Sequence, residues 1–353
     1  MSSLGQANAA PPSGNVGSSA ERILRFALNE NALILLVLLI VACGLLSPNF
    51  LSPQNIANLA DQLPIFAILA AGQLIVILTA GIDLSVGSVL ALCAFFAAAL
   101  SHHGLLPAIV VPVLVGGGVG LLNGMGAALT RVPPFIITLA MLSIARGFAL
   151  QAAAWYNGGS ITGSGAAPVS ASRDFGFQFV SSGSIFGLPI AALIAIGVFA
   201  AIAYFLRYEP FGRHVYAVGG NESAALLLGV NVKRVKIFVY AISGMLAGLA
   251  GVLYASREGS APPTAAGGYE LDAITAVVVG GALLTGGVGT VRGTVIGLLI
   301  VRILPNIFNL LGLDPAWQQV ARGGVLIAVV LMQIPMAAAN ARRKTSPSPA
   351  GKL

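Results

Sequence analysis

The chain has 353 residues, of which 57% are hydrophobic and only 8% are charged, and its formal net charge at pH 7 is +7. Soluble globular domains carry about 25% charged residues, so this composition and a mean hydropathy of +0.92 exclude a water-soluble protein and predict a polytopic membrane protein. The basic residues lie at the ends of apolar segments, which argues against a nucleic-acid partner.

Two polar tails flank an apolar middle. Residues 1–20 and 341–353 are rich in small and polar residues without apolar periodicity, so we expect both to be disordered around a transmembrane domain at 21–340. A helix needs about 20 apolar residues to cross the hydrocarbon core of a bilayer. We therefore predict about ten spans, at 31–46, 63–80, 86–101, 105–129, 135–156, 185–206, 236–256, 271–287, 293–311 and 320–339.

The basic residues give the orientation of these spans. Arg22 and Arg25 precede the first span, and the basic residues at 342–344 follow the last. The positive-inside rule then places both termini in the cytoplasm, which requires an even number of spans. With ten spans, the loop 207–236 and most other Lys and Arg residues are cytoplasmic as well.

The spacing of the spans also predicts an internal repeat. Ten spans divide into five and five, and two odd-numbered repeats in one membrane must be inverted. The segment GIDLSV at 81–86 aligns with GYELDA at 268–273: each begins with Gly, has an acidic third residue and Leu fourth, and leads into a short span. The predicted fold is therefore an all-α polytopic membrane protein of two inverted five-helix repeats.

An acidic residue stands at each of the two short spans. Asp83 can cap its helix by accepting hydrogen bonds from backbone N–H groups, with the helix dipole in its favour. We favour this structural role over contact with a solute, and expect the same of Glu270 and Asp272.

Other polar residues fall inside the apolar segments. A guanidinium at the centre of a spanning helix costs about 2.5–3.5 kcal/mol on insertion scales, so it needs a partner or a wet cavity. For the deepest, Arg146, a carbonyl group at a helix break and a position on a solute path remain equally open. The polar residues inside the spans are Gln73, Asn123, Thr138, Arg146, Arg302 and Arg322.

The cytoplasmic loop contains a short amphipathic segment at 221–232. Asn221 can cap a helix there, Ala224, Ala225 and Leu228 would share one exposed face, and Gly229 with Asn231 would end it. Such a helix can dock on another protein or lie on lipid headgroups, and the residues alone leave both interpretations open.

Glycines recur every four residues at 116, 120 and 124 and at 289, 293 and 297. Small residues on one helix face allow close backbone approach in lipid. This pattern predicts close helix packing, and whether the helices also slide stays open.

Signatures of covalent chemistry are missing. The sequence has no G-x-x-x-x-G-K-[ST] phosphate-binding loop, no nucleophile–base set and no Cys/His cluster with metal-ligand spacing. Cys43 and Cys93 lie in apolar segments and behave as small hydrophobes, so we expect no disulfide and no metal site. The chain is predicted not to be an enzyme by itself.

Three passages resemble the permease subunits of ribose-type sugar ABC importers: LTAGIDLSVGSVLAL (78–92), GGNESAALLLGVNVKRVKIFVYAISGMLAGLAGVLYASR (219–257) and GYELDAITAVVVGGALLTGGVGTVRGTVIG (268–297). The resemblance extends over about 31–339. It implies a bacterial inner-membrane subunit that pairs with a second permease, typically as a homodimer. It also implies a cytoplasmic ATP-binding cassette protein that binds the ATP, so that this chain needs no cofactor, and a periplasmic sugar-binding protein that delivers a monosaccharide.

The resemblance also implies site residues. The pattern E-x-A-A-x-x-x-G of importer permeases falls on Glu222, Ala224, Ala225 and Gly229, which implies that this segment is the coupling helix in a groove of the cassette. Closure of the cassettes on ATP would move it, and the sugar would pass between two permeases by alternating access. The expected path residues are Gln73, Asp83, Ser85, Asn123, Thr138 and Arg146.

Three other functions stay open. An ion-coupled secondary transporter would share inverted repeats and broken helices but would need no cassette. A permease of the same broad type could carry branched-chain amino acids or nucleosides. A passive channel or scaffold would act independently of any ATPase. The individual sugar is also open among ribose, xylose, arabinose, galactose, inositol and polyols.

Overall fold

The computed structural model describes residues 31–331 except 160, 163–164, 173–174, 186, 315 and 329–330. Both predicted tails, the basic residues that flank the spans at either end, and the final part of the predicted span 320–339 lie outside the described residues.

The described chain is mostly helical, as predicted. The helices are α1 (Asn31–Leu46), α2 (Pro53–Leu78), α3 (Val86–Ser101), α4 (Leu105–Leu129), α5 (Pro134–Tyr156), α6 (Phe175–Ser182), α7 (Ile190–Tyr208), α8 (Pro210–Gly220), α9 (Glu222–Leu227), α10 (Val232–Glu258), α11 (Tyr269–Val279), α12 (Val291–Leu310) and α13 (316–328). Six of them, α2, α4, α5, α7, α10 and α12, are long and apolar enough to cross a membrane, and α1 and α3 are shorter apolar helices.

Most predicted spans coincide with one helix, but three differ. The predicted span 185–206 begins too early, because residues 184–189 contain two short paired strands and α7 starts only at Ile190. Helix α2 begins ten residues before the predicted 63–80, because Ser52 caps it through a 3.3 Å bond from the Asn55 amide and Pro53 occupies its first position. The predicted span 271–287 is wrong as a continuous helix, since α11 ends at Val279. Its 11 residues rise only about 16 Å, and the glycines that follow at 281, 286 and 287 have positive φ, which a helix does not accommodate.

Short strands that the sequence did not indicate lie between α5 and α7. Strand β1 (Ile161–Thr162) pairs with β2 (Gly165–Ala166), and β4 (Ser184–Ile185) pairs with β5 (Leu188–Pro189). Strand β3 (Val169–Ser170) is antiparallel to β6 (Ser260–Ala261), which follows α10. This pairing attaches the α5–α7 segment to the loop that precedes α11.

The core is built around α2 and α10. Every residue of α2 from Pro64 to Leu78 is buried, as expected of a helix that is apolar on all sides and lies at the centre of a bundle. Helix α10 packs on α2, α3, α4 and α6, while α11 packs on α12 and α2.

The regularly spaced glycines lie where helix backbones touch. A Cβ on Gly120 would meet the Tyr240 carbonyl oxygen, and one on Gly244 would meet the carbonyl oxygen of Gly116. Helices α4 and α10 therefore cross in backbone contact. Gly293 and Gly297 place α12 equally close to Gly280 and Ala276 of α11. In this conformation the glycines serve close packing.

We expect Gly120→Leu to destabilise the protein, because the added side chain has to displace the α10 backbone. Overpacking of this kind costs about 1–3 kcal/mol. Gly118→Leu is the matched control, since a Cβ on Gly118 meets no described atom within 4 Å. Thermal unfolding of the two variants in detergent measures the difference, and equal midpoints would contradict the backbone-contact crossing.

Candidate functional site

Helical structure stops between α2 and α3, at 79–85, and we call this segment the first break. Thr79 closes α2 by donating from its hydroxyl to the Val76 carbonyl at 2.8 Å, and Ala80 takes a φ of +60°. Gly81 lies so close to Tyr240 that a Cβ would be 2.6 Å from the tyrosine oxygen. The chain therefore turns tightly inside the protein before α3 begins.

Asp83 stabilises this turn. One oxygen of its carboxylate accepts bonds from the Ser85 backbone N–H at 2.9 Å and from the Ser85 hydroxyl at 2.7 Å. The Asn123 side-chain amide donates to the same hydroxyl oxygen at 2.8 Å. The three side chains thus join the start of α3 to α4. Asp83 binds Ser85, which immediately precedes α3, and not an N–H group of the helix itself, so the predicted cap of α3 by Asp83 is wrong.

Side chains from three other helices bind the backbone of the break. Thr138 on α5 donates to the Ile82 carbonyl and accepts from the Leu84 N–H, both at 3.1 Å. The Gln73 amide on α2 matches the Asp83 backbone when its nitrogen faces the carbonyl oxygen (3.3 Å) and its oxygen faces the N–H (3.2 Å). Tyr240 on α10 donates to Ile82 at 3.4 Å.

Five of the six expected path residues therefore lie together at this break. Each of them is at most 1% exposed, so a solute does not reach them in this conformation; they are Gln73, Asp83, Ser85, Asn123 and Thr138. The geometry shows that they brace the break, and their place on a solute path stays a prediction.

The sixth, Arg146, lies at the second break, between α10 and α11 at 259–268. Its Nη1 donates to the carbonyl oxygens of Pro263 at 2.8 Å and Ala265 at 2.7 Å. Of the two roles that the sequence left open, the structure shows the bond to carbonyl groups at a helix break. The same loop is bound from the other side by β3 and by a 3.0 Å bond from the Ala171 N–H to the Gly259 carbonyl.

The two short helices that follow the breaks begin next to each other. Gly87 is in the first turn of α3, and a Cβ there would meet a carboxylate oxygen of Glu270, in the first turn of α11, and the carbonyl oxygen of Ala266. The first turns of α3 and α11 are thus in contact, and a shift of either break affects the other.

A buried ion cluster fixes the start of α11. Asp272 is 3% exposed, and its carboxylate oxygens lie 2.9 Å from Nε of Arg322 and 3.6 Å from Nη1 of Arg302. The Arg302 guanidinium also stacks 3.7 Å from the centre of the Phe66 ring. The sequence identified the two arginines as costly inside an apolar segment, but nothing in it paired them with an aspartate 30 and 50 residues away.

The loop 207–236, which the sequence predicts to be cytoplasmic, contains α8 and the short α9. Asn221 caps α9 by accepting from the Ala224 N–H at 3.0 Å. Asn231 does not end α9, contrary to expectation, but caps α10 by accepting from the Arg234 N–H at 3.1 Å. Glu222 pairs with Lys236 at 2.8 Å.

The exposed face of α9 also differs from the expected one. Ala225 is buried, whereas Leu226, Leu227 and Leu228 are 64%, 87% and 82% exposed. Alanine is small enough to pack α9 against the protein, so the leucines point outward. Gly229 takes a φ of +83° and turns the chain toward α10.

Helix α8 connects this loop to the first break and to the loop after α11. The Tyr216 hydroxyl donates to the Gly289 carbonyl at 3.0 Å, and burial raises the pKa of that hydroxyl, so it remains a donor. A Cβ on Gly219 would meet the Leu78 carbonyl oxygen, which accepts a 3.0 Å bond from the Gly287 N–H. The end of α8 therefore touches the end of α2 and the loop after α11.

Comparison with known proteins identifies the family. Residues 55–330 match the family described as branched-chain amino acid transport system / permease component. The chain is 42% identical to a ribose import permease protein of Haemophilus influenzae, over 88% of this chain and 94% of the relative. It is 42% identical to that of Bacillus subtilis, over 84% and 90%.

A further relative carries the name of another sugar. The chain is 36% identical to an L-arabinose ABC transporter permease protein of Azospirillum brasilense, over 86% of this chain and 87% of the relative. No solved structure matches the chain. The chain belongs to this family of transport-system permease components and is a multi-pass, non-catalytic membrane subunit.

Replacement of Asp83 tests its role at the first break. Asp83→Ala leaves the buried N–H and hydroxyl of Ser85 without their acceptor, which costs about 1–3 kcal/mol. Asp83→Asn retains an oxygen acceptor, so we expect most of the stability to remain. Thermal unfolding in detergent checks both variants, and an Asp83→Ala protein as stable as the wild type would contradict the bracing role.

Proposed function

We propose that this chain is the membrane permease subunit of an ATP-driven importer for a monosaccharide of the ribose class. The observation that carries the proposal is the identity of 41–42% to ribose import permease proteins over at least 84% of this chain and 90% of each relative. Relatives named for L-arabinose and D-allose support a sugar without distinguishing which one.

We further propose ten membrane crossings in two inverted repeats, with both termini in the cytoplasm of a bacterial inner membrane. Helix pairing supports this arrangement. Helix α10 packs on α3 and α4, while α2 packs on α11 and α12; α3 packs on α4 as α11 packs on α12. If α2, α3 and α4 are matched with α10, α11 and α12, each contact has a counterpart. The α10–α3 contact corresponds to α2–α11, the α10–α4 contact to α2–α12, and the α3–α4 contact to α11–α12. Each short helix in this match follows a break.

The proposed docking surface for the ATP-binding cassette is the leucine face of α9, defined as Leu226, Leu227 and Leu228. Three consecutive leucines, at least 64% exposed on a loop rich in basic residues, need a partner that covers them. Ala224, Ala225 and Gly229 shape α9 so that the leucines project, and Glu222 anchors it through Lys236.

Movement of α9 has a physical connection to the breaks. Helix α8 ends where α9 begins, and it contacts the end of α2 and the loop after α11 through Gly219 and Tyr216. A cassette that pulls α9 would therefore act on the first break and on the loop after α11. Alternating access would follow from the opening of one break while the other closes.

The proposed assembly contains two permeases, typically two copies of this chain, with cytoplasmic cassettes and a periplasmic sugar-binding protein. The buried residues at the first break would become accessible to the sugar only when that break opens. A second candidate solute is a branched-chain amino acid, because the description of the matching family names that class.

Uptake by the reconstituted importer tests the function. Proteoliposomes would contain this chain with its cassette and binding protein, ATP inside, and labelled ribose, arabinose, allose or leucine outside. We expect ATP-dependent uptake of one of the sugars and none of leucine. Uptake that persists without ATP but collapses with an uncoupler would overturn the importer in favour of ion coupling.

We expect Leu227→Asp to abolish co-purification of the cassette and to lower uptake by about tenfold or more, which corresponds to about 1.4 kcal/mol per tenfold change in binding. A charge on this face has to be desolvated in the docked complex. Val132→Asp, on the exposed α4–α5 turn, is the control and should retain both. Normal co-purification and uptake in Leu227→Asp would instead indicate that the leucine face lies on lipid headgroups.

A further inference from the structure

A polar recess lies beside the second break. It has a volume of about 490 Å³ and lies between the loop that precedes α11 and the helix α13. We call it the polar recess for its polar and glycine residues, and two leucines, Leu271 and Leu326, complete its lining; the polar and glycine residues are Gly267, Gly268, Gln318, Gln319, Arg322 and Gly323. Its size is within the range of about 300–1,000 Å³ that is typical of small-molecule sites.

The guanidinium in the recess is held in place. Arg322 binds Asp272 through Nε at 2.9 Å, and a Cβ on Gly268 would lie 2.8 Å from its Nη1. Asp272 is itself held near Arg302, which stacks on Phe66. The donor nitrogens of Arg322 therefore occupy a defined position at the recess wall.

The two glutamines add acceptors and donors. The Gln318 amide nitrogen donates to the Asn309 side chain at 2.6 Å, which orients the amide, and Gln319 is exposed. One guanidinium and two amides on a wall that faced hydrocarbon would be costly. The recess therefore faces water or a partner.

We propose that the polar recess is a contact site for the transported solute, which we infer to be a neutral polyhydroxylated molecule. Neighbouring hydroxyl groups can accept from the Arg322 guanidinium and exchange hydrogen bonds with the Gln319 amide. Gly267 and Gly268 let the solute approach the backbone. This inference rests on the proposed function as a sugar permease.

The polar recess is accessible to a solute in this conformation, whereas the buried residues at the first break are not. The recess is open in this conformation, and Arg322 touches both its lumen and the carboxylate of Asp272 in the first turn of α11. A solute in the polar recess would therefore contact the second break, whose backbone Arg146 also binds.

The test fills the recess without breaking a bond. Gly323 lines the recess, Gly324 does not, and a Cβ on either glycine meets no described atom within 4 Å. Gly323→Trp, Gly323→Ala and Gly324→Trp would be assembled with the cassette and binding protein in proteoliposomes. ATP-dependent uptake of labelled ribose, arabinose and allose, ATP hydrolysis and the oligomeric state would be measured for each.

We expect Gly323→Trp to lower uptake by about tenfold or more while ATP hydrolysis and assembly persist, and Gly323→Ala and Gly324→Trp to stay near the wild type. Gln319→Leu should raise the apparent KM more than it lowers the maximal rate. Equal uptake by the two tryptophan variants would overturn the recess site, as would dissociation of the permease dimer in Gly323→Trp alone, which would assign the recess to the permease interface. A wild type that transports no sugar with ATP would instead refute the proposed function.

Discussion

The structure depends on one constraint, which is that a backbone interrupted inside a membrane protein must satisfy its N–H and C=O groups without water. Among the described residues this applies most strictly to 79–85, which is largely buried, whereas 259–268 is buried only in part. A different set of side chains binds the backbone of each. Thr138 and Gln73 bind the backbone of the first, and Arg146 binds two carbonyl groups of the second. The cost of burying these polar groups is offset by hydrogen bonds that also fix the geometry of the breaks.

The two breaks are connected by contacts at both ends of α11. At their first turns, α3 and α11 meet where Glu270 lies against Gly87. At the other end, Gly287 after α11 binds the Leu78 carbonyl just before the first break, and α8 touches both. A displacement of α8 would therefore act on a connected unit, which supports the alternating access proposed above.

Sequence predicted the helices well where apolar length alone decides. The bounds of α1, α3 and α4 are those predicted from 31–46, 86–101 and 105–129, since lipid imposes a minimum length on any span. It failed at 271–287, where the composition stays apolar although glycines with positive φ end the helix. The outward face of α9 was also wrong, because side-chain volume and not periodicity decides that Ala225 packs inward.

For the candidate site, the sequence identified some of the polar residues but not their partners. Polar residues such as Gln73 and Thr138 stood out because they are rare in apolar segments, and the structure brings them to one break. Their partners are backbone groups and residues far along the chain, so no local pattern could identify them. The pairing of Asp272 with Arg322 spans 50 positions, and the recess arises only when α13 packs beside the loop that precedes α11.

The chemical difference between the breaks has a consequence for their motion. The first is held by short side chains, including Ser85, Asn123 and Thr138, whose hydrogen bonds are lost after small displacements. The second is held by the longer side chain of Arg146, which can follow a larger shift of Pro263 and Ala265, and by backbone bonds from β3 and Ala171. A shift of the second loop would therefore preserve the Arg146 bonds over a longer distance than a shift of the first break would preserve the bonds of Ser85, Asn123 and Thr138.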